Sequence, residues 1–369
     1  MHFSNLILQN ALFLHFSSKK FGGFKKRYYL CARFNKQLID IDMKLFEKDG
    51  VTYGVIDEFN IRRLLAQYQN GNYMVYLFDD GTKVRETEGD DFIPTFSENT
   101  DVCLTKKCCN LGPDGIINNC KFCYEGCTPN GKHGRIDYHF LDTLHAGTEV
   151  ALNGNDMDHP QLDELLHKLK EKGVFANITV SKNQFLRNYE KIIDYQRKEL
   201  LYGIGISANS FDDEFIKMLE GVKNSVVHTI AGICTFGEYK KLFGHLVKVL
   251  VLGYKNRGRG VEYLKKNNSD IYDNIQELND NLQEVAKNVL VLSFDNLAIE
   301  QLQNIHAVVG EDWDTFYMGD DGNYTFYIDL VAGTFAKNSC IDERFPIGDK
   351  SMDDMFNFIR DKYGVKKVA

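Results

Sequence analysis

Six of the nine cysteines in this chain of 369 residues (Cys103, Cys108, Cys109, Cys120, Cys123 and Cys127) fall within twenty-five residues. Thiolates gathered that tightly serve as ligands to a metal or an iron–sulfur cluster, as a redox pair, or as disulfide partners. An odd cysteine count on a long chain without a secretory signal does not fit the disulfide framework of a small secreted domain. Reduced thiols and a cytoplasmic setting are therefore expected. Cys120-Lys121-Phe122-Cys123 is the one C-x-x-C. A structural zinc site would use two such knuckles, so Cys108, Cys109, Cys127 or His133 would have to complete a tetrahedron. A thioredoxin-like pair would open a helix, and Tyr124-Glu125-Gly126 is a poor helix start. The third option is a [4Fe–4S] cluster on three thiolates, with one iron left open to another ligand.

Other chemistry-bearing residues recur just after apolar runs. Ser181 follows Phe175–Val180, and Ser207, Asn209 and Ser210 follow the run that begins at Leu201. Each could bond a ligand's hydroxyls or carboxylate, or equally cap a helix. Lys255, Arg257 and Arg259 sit among glycines, where a guanidinium fork could grip a carboxylate or phosphate. Asp295 is either a substrate contact or a cap. Gly203-x-Gly205-x-x-Ala208 matches the loose dinucleotide fingerprint, but its glycines lie inside the predicted strand rather than in the turn after it, so nicotinamide binding is not expected.

The elements that must carry these residues are legible as alternation. Strand-like runs occur at 102–104, 149–152, 175–180, 201–207, 226–233, 247–252 and 289–292, with amphipathic stretches between them. In 161–169 leucines recur at three- and four-residue spacing, which marks a helix with one apolar face. Repeated β-α units imply a parallel sheet covered by helices, here a partial (β/α)6 TIM-like barrel with its reactive face at the strand ends. Residues 43–98 read as a small β-rich preface, with a hairpin turn at Asp79-Asp80-Gly81. Residues 99–310 would form the barrel, and 311–369 a hairpin and helix closing its open end. There is no internal repeat and no low-complexity segment.

With those elements in place, the cysteine loop resembles that of the radical S-adenosylmethionine (SAM) enzymes, whose usual pattern is C-x3-C-x2-C with an aromatic before the last cysteine. Cys109-Asn110-Leu111-Gly112 followed directly by Cys120-Lys121-Phe122-Cys123 restores that spacing if 113–119 are an inserted turn. Thr105, the run Phe122-Cys123-Tyr124-Glu125, and Gly131-Lys132-His133-Gly134 look like a phage-type branch without an assigned substrate. Cys127 stands where a small residue such as Ser is expected. The resemblance implies that Cys109, Cys120 and Cys123 hold a [4Fe–4S] cluster and that SAM chelates its open iron. Phe122 would lie against adenine. Gly154 and Asn155 would receive the methionine amino group, with Asn153 in place of an expected glycine. Ser181, Ser207, Asn209, Lys255 and Arg257 would serve the rest of SAM. It implies no catalytic side chain beyond the cluster ligands. It also implies an electron from a flavodoxin or ferredoxin-like donor, SAM cleavage to a 5′-deoxyadenosyl radical, and hydrogen abstraction from an unidentified substrate. A zinc-bound interaction module, or a SAM and iron–sulfur protein without turnover, remains the alternative.

The net charge of -8 argues against a general nucleic-acid coat and against an anionic membrane surface. No apolar run approaches the roughly 20 residues that cross a bilayer. Residues 1–42 depart from the rest, with seven basic residues against two acidic ones. They are expected to be an unstructured basic extension, with the working protein beginning at Met43.

Overall fold

The computed structural model describes residues 20–21, 24–25, 27–31, 43–57, 60–89, 91–111, 114–153, 156–310, 313, 317 and 319–364. Near the N-terminus, β1 (Lys20–Phe21) pairs with β2 (Phe24–Lys25), and β3 (Arg27–Cys31) follows. Next comes a meander of β4 (Lys44–Lys48), β5 (Val51–Asp57), β6 (Asn60–Asn70), β7 (Tyr73–Phe78) and β8 (Lys83–Thr87). It forms a six-stranded antiparallel sheet in the order β3-β8-β7-β6-β5-β4. The turn between β7 and β8 needs Gly81, whose φ of 90 lies in the left-handed region. Because β3 pairs with β8 from Arg27↔Thr87 to Cys31↔Lys83, this part of 1–42 joins the preface sheet. β1 and β2 form a separate two-stranded ladder, and the rest of 1–42 lies outside the described residues.

The larger sheet is built from β9 (Asn99–Cys103), β10 (Glu149–Asn153), β11 (Phe175–Ser181), β12 (Gly203–Ser207), β13 (Ser225–Ile230), β14 (Lys248–Leu252) and β15 (Val291–Phe294). These seven are parallel and adjacent in chain order. They answer one for one to the seven apolar runs. β16 (Thr325–Asp329) pairs parallel with the far side of β9 and then continues antiparallel into β17 (Thr334–Ala336) and β18 (Phe345–Pro346). The expected parallel sheet is present and open, ten strands from β15 through β9 and on to β18, seven of them from successive parallel units where six were expected. The expected C-terminal hairpin exists, but its first strand extends the parallel sheet instead of closing it. Among the described residues β15 and β16 share no ladder. Asn296 donates to Asp321 across that interval at 2.9 Å.

Helices α1 (Leu162–Glu171), α2 (Lys182–Arg187), α3 (Tyr189–Arg197), α4 (Asp213–Glu220), α5 (Phe236–Lys240), α6 (Arg259–Lys266), α7 (Asn268–Asn288), α8 (Asn296–Gln301) and α9 (Ile305–Val309) lie between the parallel strands and after β15. α10 (Met352–Tyr363) packs its Phe356 on Phe326 of β16. The leucines of α1 (Leu162, Leu165, Leu166 and Leu169) are all buried on the sheet. Each such side chain contributes about 1.5–3 kcal/mol on leaving water. Alternate strand residues such as Val102, Leu152, Ile178, Ile206 and Val249 enter the same helix-side core. Their neighbours therefore face the other side of the sheet. No helix among the described residues is long and apolar enough to cross a membrane.

The preface sheet seats on the strand starts. Tyr202 donates to the Phe78 carbonyl, and Lys248 donates to the Asp80 carbonyl. Lys83 pairs with Glu149 at 2.6 Å. Beside them Arg85 holds Glu98 through two bonds of 2.7 and 2.9 Å, and Tyr73 donates a third. Burial alone would raise the Glu98 carboxyl, but Arg85 and Lys83 outweigh it and hold it below the usual carboxylate range. One end of the curled sheet is thus covered by a satisfied polar network. The strand-end face is left to carry the site.

Candidate functional site at the strand ends

The loop after β9 is pinched at its base. Thr105 bridges to His133, its hydroxyl 2.9 Å from the imidazole Nδ1, and Lys107 bridges to Thr128. Lys106 pairs with Glu125 and reaches Asp329 at the end of β16, 3.3 Å away. The thiols are therefore held on a closed loop tied to the strand on either side. None of the eight cysteines whose side chains are described forms a disulfide.

Arg259, the first residue of α6, clamps this loop from the opposite wall. Its Nε donates to the Cys120 carbonyl at 3.0 Å, its Nη1 to the Cys127 carbonyl at 2.7 Å, and its backbone N–H to the Cys123 carbonyl at 3.0 Å. The approach requires Gly258. Its φ is 52, and a Cβ there would lie 2.4 Å from the Tyr124 carbonyl oxygen. The glycine–arginine run, read from sequence as an anion grip, thus serves to hold the cysteine loop. Arg257 bonds the Cys340 carbonyl and pairs with Asp342.

The sulfurs respond to one another. The neighbouring Cys127 thiol lowers Cys123, burial opposes the drop, and the Arg259 charge helps it. Cys123 and burial in turn push Cys127 up. Burial pushes Cys108 up to about 11, the Asn110 N–H opposes the rise, and Cys120, Cys123 and Cys109 add to it. Asn110 also points its amide at Cys120 Sγ, 4.0 Å away. Cys108, Cys109, Cys120 and Cys123 all lie on this loop, and Cys108 senses the charge of the other three. Among the described residues no three His, Cys, Asp or Glu side chains are gathered closely enough to hold an ion. By chemistry the donor set fits an iron–sulfur cluster, since soft thiolates backed by N–H donors and a guanidinium are what such a group takes.

The remaining expected residues divide. Phe122 packs edge-on against Tyr263 of α6, with centroids 5.7 Å apart. Ser181 caps α2 by accepting from Gln184 and also donates to Asn110. Asn209 accepts from the Ile230 N–H at 2.8 Å, tying the loop after β12 to β13. Ser207 ends β12 at the same level as Ser181. Asp295 caps α8 and receives the Gly253 N–H at 2.9 Å. Lys255 extends its ammonium over the Tyr124 ring, 4.1 Å from the centroid, and reaches Ser339 Oγ at 3.3 Å. Gly154 and Asn155 lie outside the described residues, so their turn goes undescribed.

Sequence reasoning missed the inner wall. Gly205 faces the concave side, and a Cβ there would meet His228 Cε1 at 2.4 Å and Thr179 Oγ1 at 2.9 Å. The space denied to a side chain at 205 is filled by the His228 ring. That accounts for the Gly203-x-Gly205 spacing without any nucleotide. Asp101 of β9 also faces inward, and its signal was hidden because an acid just before the apolar run 102–104 looks like a solvated strand edge.

No known family model matches the chain, and no curated protein matches it. Among solved structures it is similar to Streptococcus suis SuiB bound to the precursor peptide SuiA, at 12% identity with a TM-score of 0.47, covering 72% of this chain and 65% of that one. SuiB bound to S-adenosylmethionine is similar at 13% identity with a TM-score of 0.47, covering 73% of this chain and 68% of that one. The chain spans just under two thirds of SuiB in the peptide complex.

Proposed function

We propose that the chain is a radical SAM enzyme that binds one [4Fe–4S] cluster on its cysteine loop and abstracts hydrogen from a substrate held in the concave face of the sheet. The observation that carries this reading is a cysteine-bearing loop closed at its base and clamped by Arg259 through the carbonyls of Cys120, Cys123 and Cys127. Cys120 and Cys123 are proposed ligands. The third is one of the adjacent pair Cys108 and Cys109, and sequence spacing favours Cys109. When bound, the cluster and SAM supply reductive cleavage of SAM and a 5′-deoxyadenosyl radical.

The chain's own part is to orient and to shield. Arg259 fixes the backbone of three cysteines. Phe122 and Tyr263 present an aromatic wall for adenine. Ser207 and Lys255 are proposed contacts for the ribose and carboxylate of SAM, and Gly154 and Asn155 for its amino group. Ser181, Asn209 and Arg257 would have to exchange present partners to join them. An acidic flavodoxin or ferredoxin-like protein is the proposed electron donor.

Anaerobic purification tests the reading. A brown protein absorbing near ~400 nm from thiolate-to-iron bands, forming 5′-deoxyadenosine with SAM and dithionite, is the expected result. A colourless protein carrying zinc alone would sink it. A brown protein that never forms 5′-deoxyadenosine would leave binding without turnover.

A further inference from the structure

Alternation places a row of side chains on the concave wall at one level: Tyr327, Asp101, Ala151, Asn177 and Gly203, on β16, β9, β10, β11 and β12. Asp101 is accessible to solvent there, although its neighbours Thr100 and Val102 are buried against the helix layer. Its carboxylate senses Lys255, which follows β14, and Asp321, which precedes β16. Lys255 follows a strand five positions away in the sheet, so the two meet across the bore. Yet among the described residues Asp101 accepts no hydrogen bond and forms no ion pair within 4 Å. Lys255 is engaged instead by Tyr124 and Ser339.

His228 is the second inward polar group, spread over Gly205 with no ring hydrogen bond among the described residues. Burial and the nearby Lys255 charge lower it to about 4, so its imidazole is neutral and keeps one nitrogen free to accept. The other carboxylates at this mouth are occupied. Asp295 takes two backbone N–H groups, and Asp321 takes the amides of Asn296 and Asn338. The wall therefore offers acceptors, and more negative than positive charge.

We propose that Asp101 and His228 form a substrate-reading site on the inner wall, and that the group they read is a primary ammonium. It rests on the proposed function only in calling the bound molecule a substrate. An ammonium carries three donors and one positive charge. It supplies the donors and the positive charge that the Asp101 carboxylate and the neutral imidazole lack.

Calorimetry on the full chain with 1,4-diaminobutane as probe tests this, with 1,4-butanediol and glutarate as controls. The diamine is expected to bind most tightly, to weaken at least tenfold in D101N, and to weaken several-fold in H228A. D101N is also expected to melt at or above the wild-type temperature, because a group kept for a ligand contributes nothing to the empty fold. Equal binding of diamine and diol, tighter binding of glutarate, undiminished binding by D101N, or a lowered melting temperature would each overturn it. The measurement needs neither cluster nor SAM. Diamine selectivity without 5′-deoxyadenosine formation would count against the enzymatic reading alone, and the converse against this site alone.

Discussion

Replacing Arg259 with Ala isolates the clamp that organises the cysteine loop. The side chain supplies two charge-assisted bonds to the Cys120 and Cys127 carbonyls, each worth about 1.5–3 kcal/mol. The guanidinium is half-buried, so screening reduces the sum, and a net loss of about 2–4 kcal/mol is expected. Because the bonds join a loop to a helix start, the loss falls on loop order before it falls on global stability. At 1.4 kcal/mol per factor of ten, the closed loop loses about 30- to 700-fold in population. The assay is amide hydrogen exchange at 120–127, paired with iron and sulfide content after anaerobic reconstitution. Faster exchange there, with protection of β10–β14 unchanged, and a fall in iron are the expected outcomes. R259K keeps the charge but loses the fork, so it should recover less than half of the effect. Wild-type exchange and full iron in R259A would refute the reasoning.

Other substitutions probe separate parts. C109A should abolish iron binding while C108A retains it, read as iron per chain; the reverse result would move the ligand register by one residue. E98Q takes from the buried Arg85 the carboxylate that holds it, while Lys83 keeps Glu149, and should cost about 3–5 kcal/mol in denaturant unfolding at neutral pH. Glu98 titrates below its ordinary range, so its contribution is present above that range and fades as pH falls through the lowered value. An acid-melting curve of E98Q should accordingly be flatter than that of the wild type. G205A drives a Cβ into the His228 ring and should cost about 1–3 kcal/mol. H228A should relieve most of that cost in the double variant, and simple additivity would contradict the packing described.

The sequence was informative wherever the pattern was local. Seven apolar runs became β9 to β15, and Asp79-Asp80-Gly81 became the turn of a hairpin, because periodicity and turn chemistry act over a few residues. Pairing over long separations was invisible. Nothing near Thr325–Asp329 says that this strand will lie parallel to Asn99–Cys103, more than two hundred residues earlier. The same limit explains the arginines. Composition marked Arg257 and Arg259 as anion binders, yet their partners, Asp342 and the carbonyls of the cysteine loop, are set by tertiary contact. Helix caps and ligand contacts draw on the same residue types, so Ser181 and Asp295 stayed ambiguous until their hydrogen bonds were known.

The interval between β15 and β16 also bears on how large a molecule the bore can admit. Strands joined by a backbone ladder stand about 4.8 Å apart whatever their sequence. Across this interval the spacing is instead set by an amide and a carboxylate, Asn296 and Asp321. The circumference of the bore is therefore adjustable by side-chain length, and a sheet of this kind can be refitted to bulkier guests by one or two substitutions without any change of strand register.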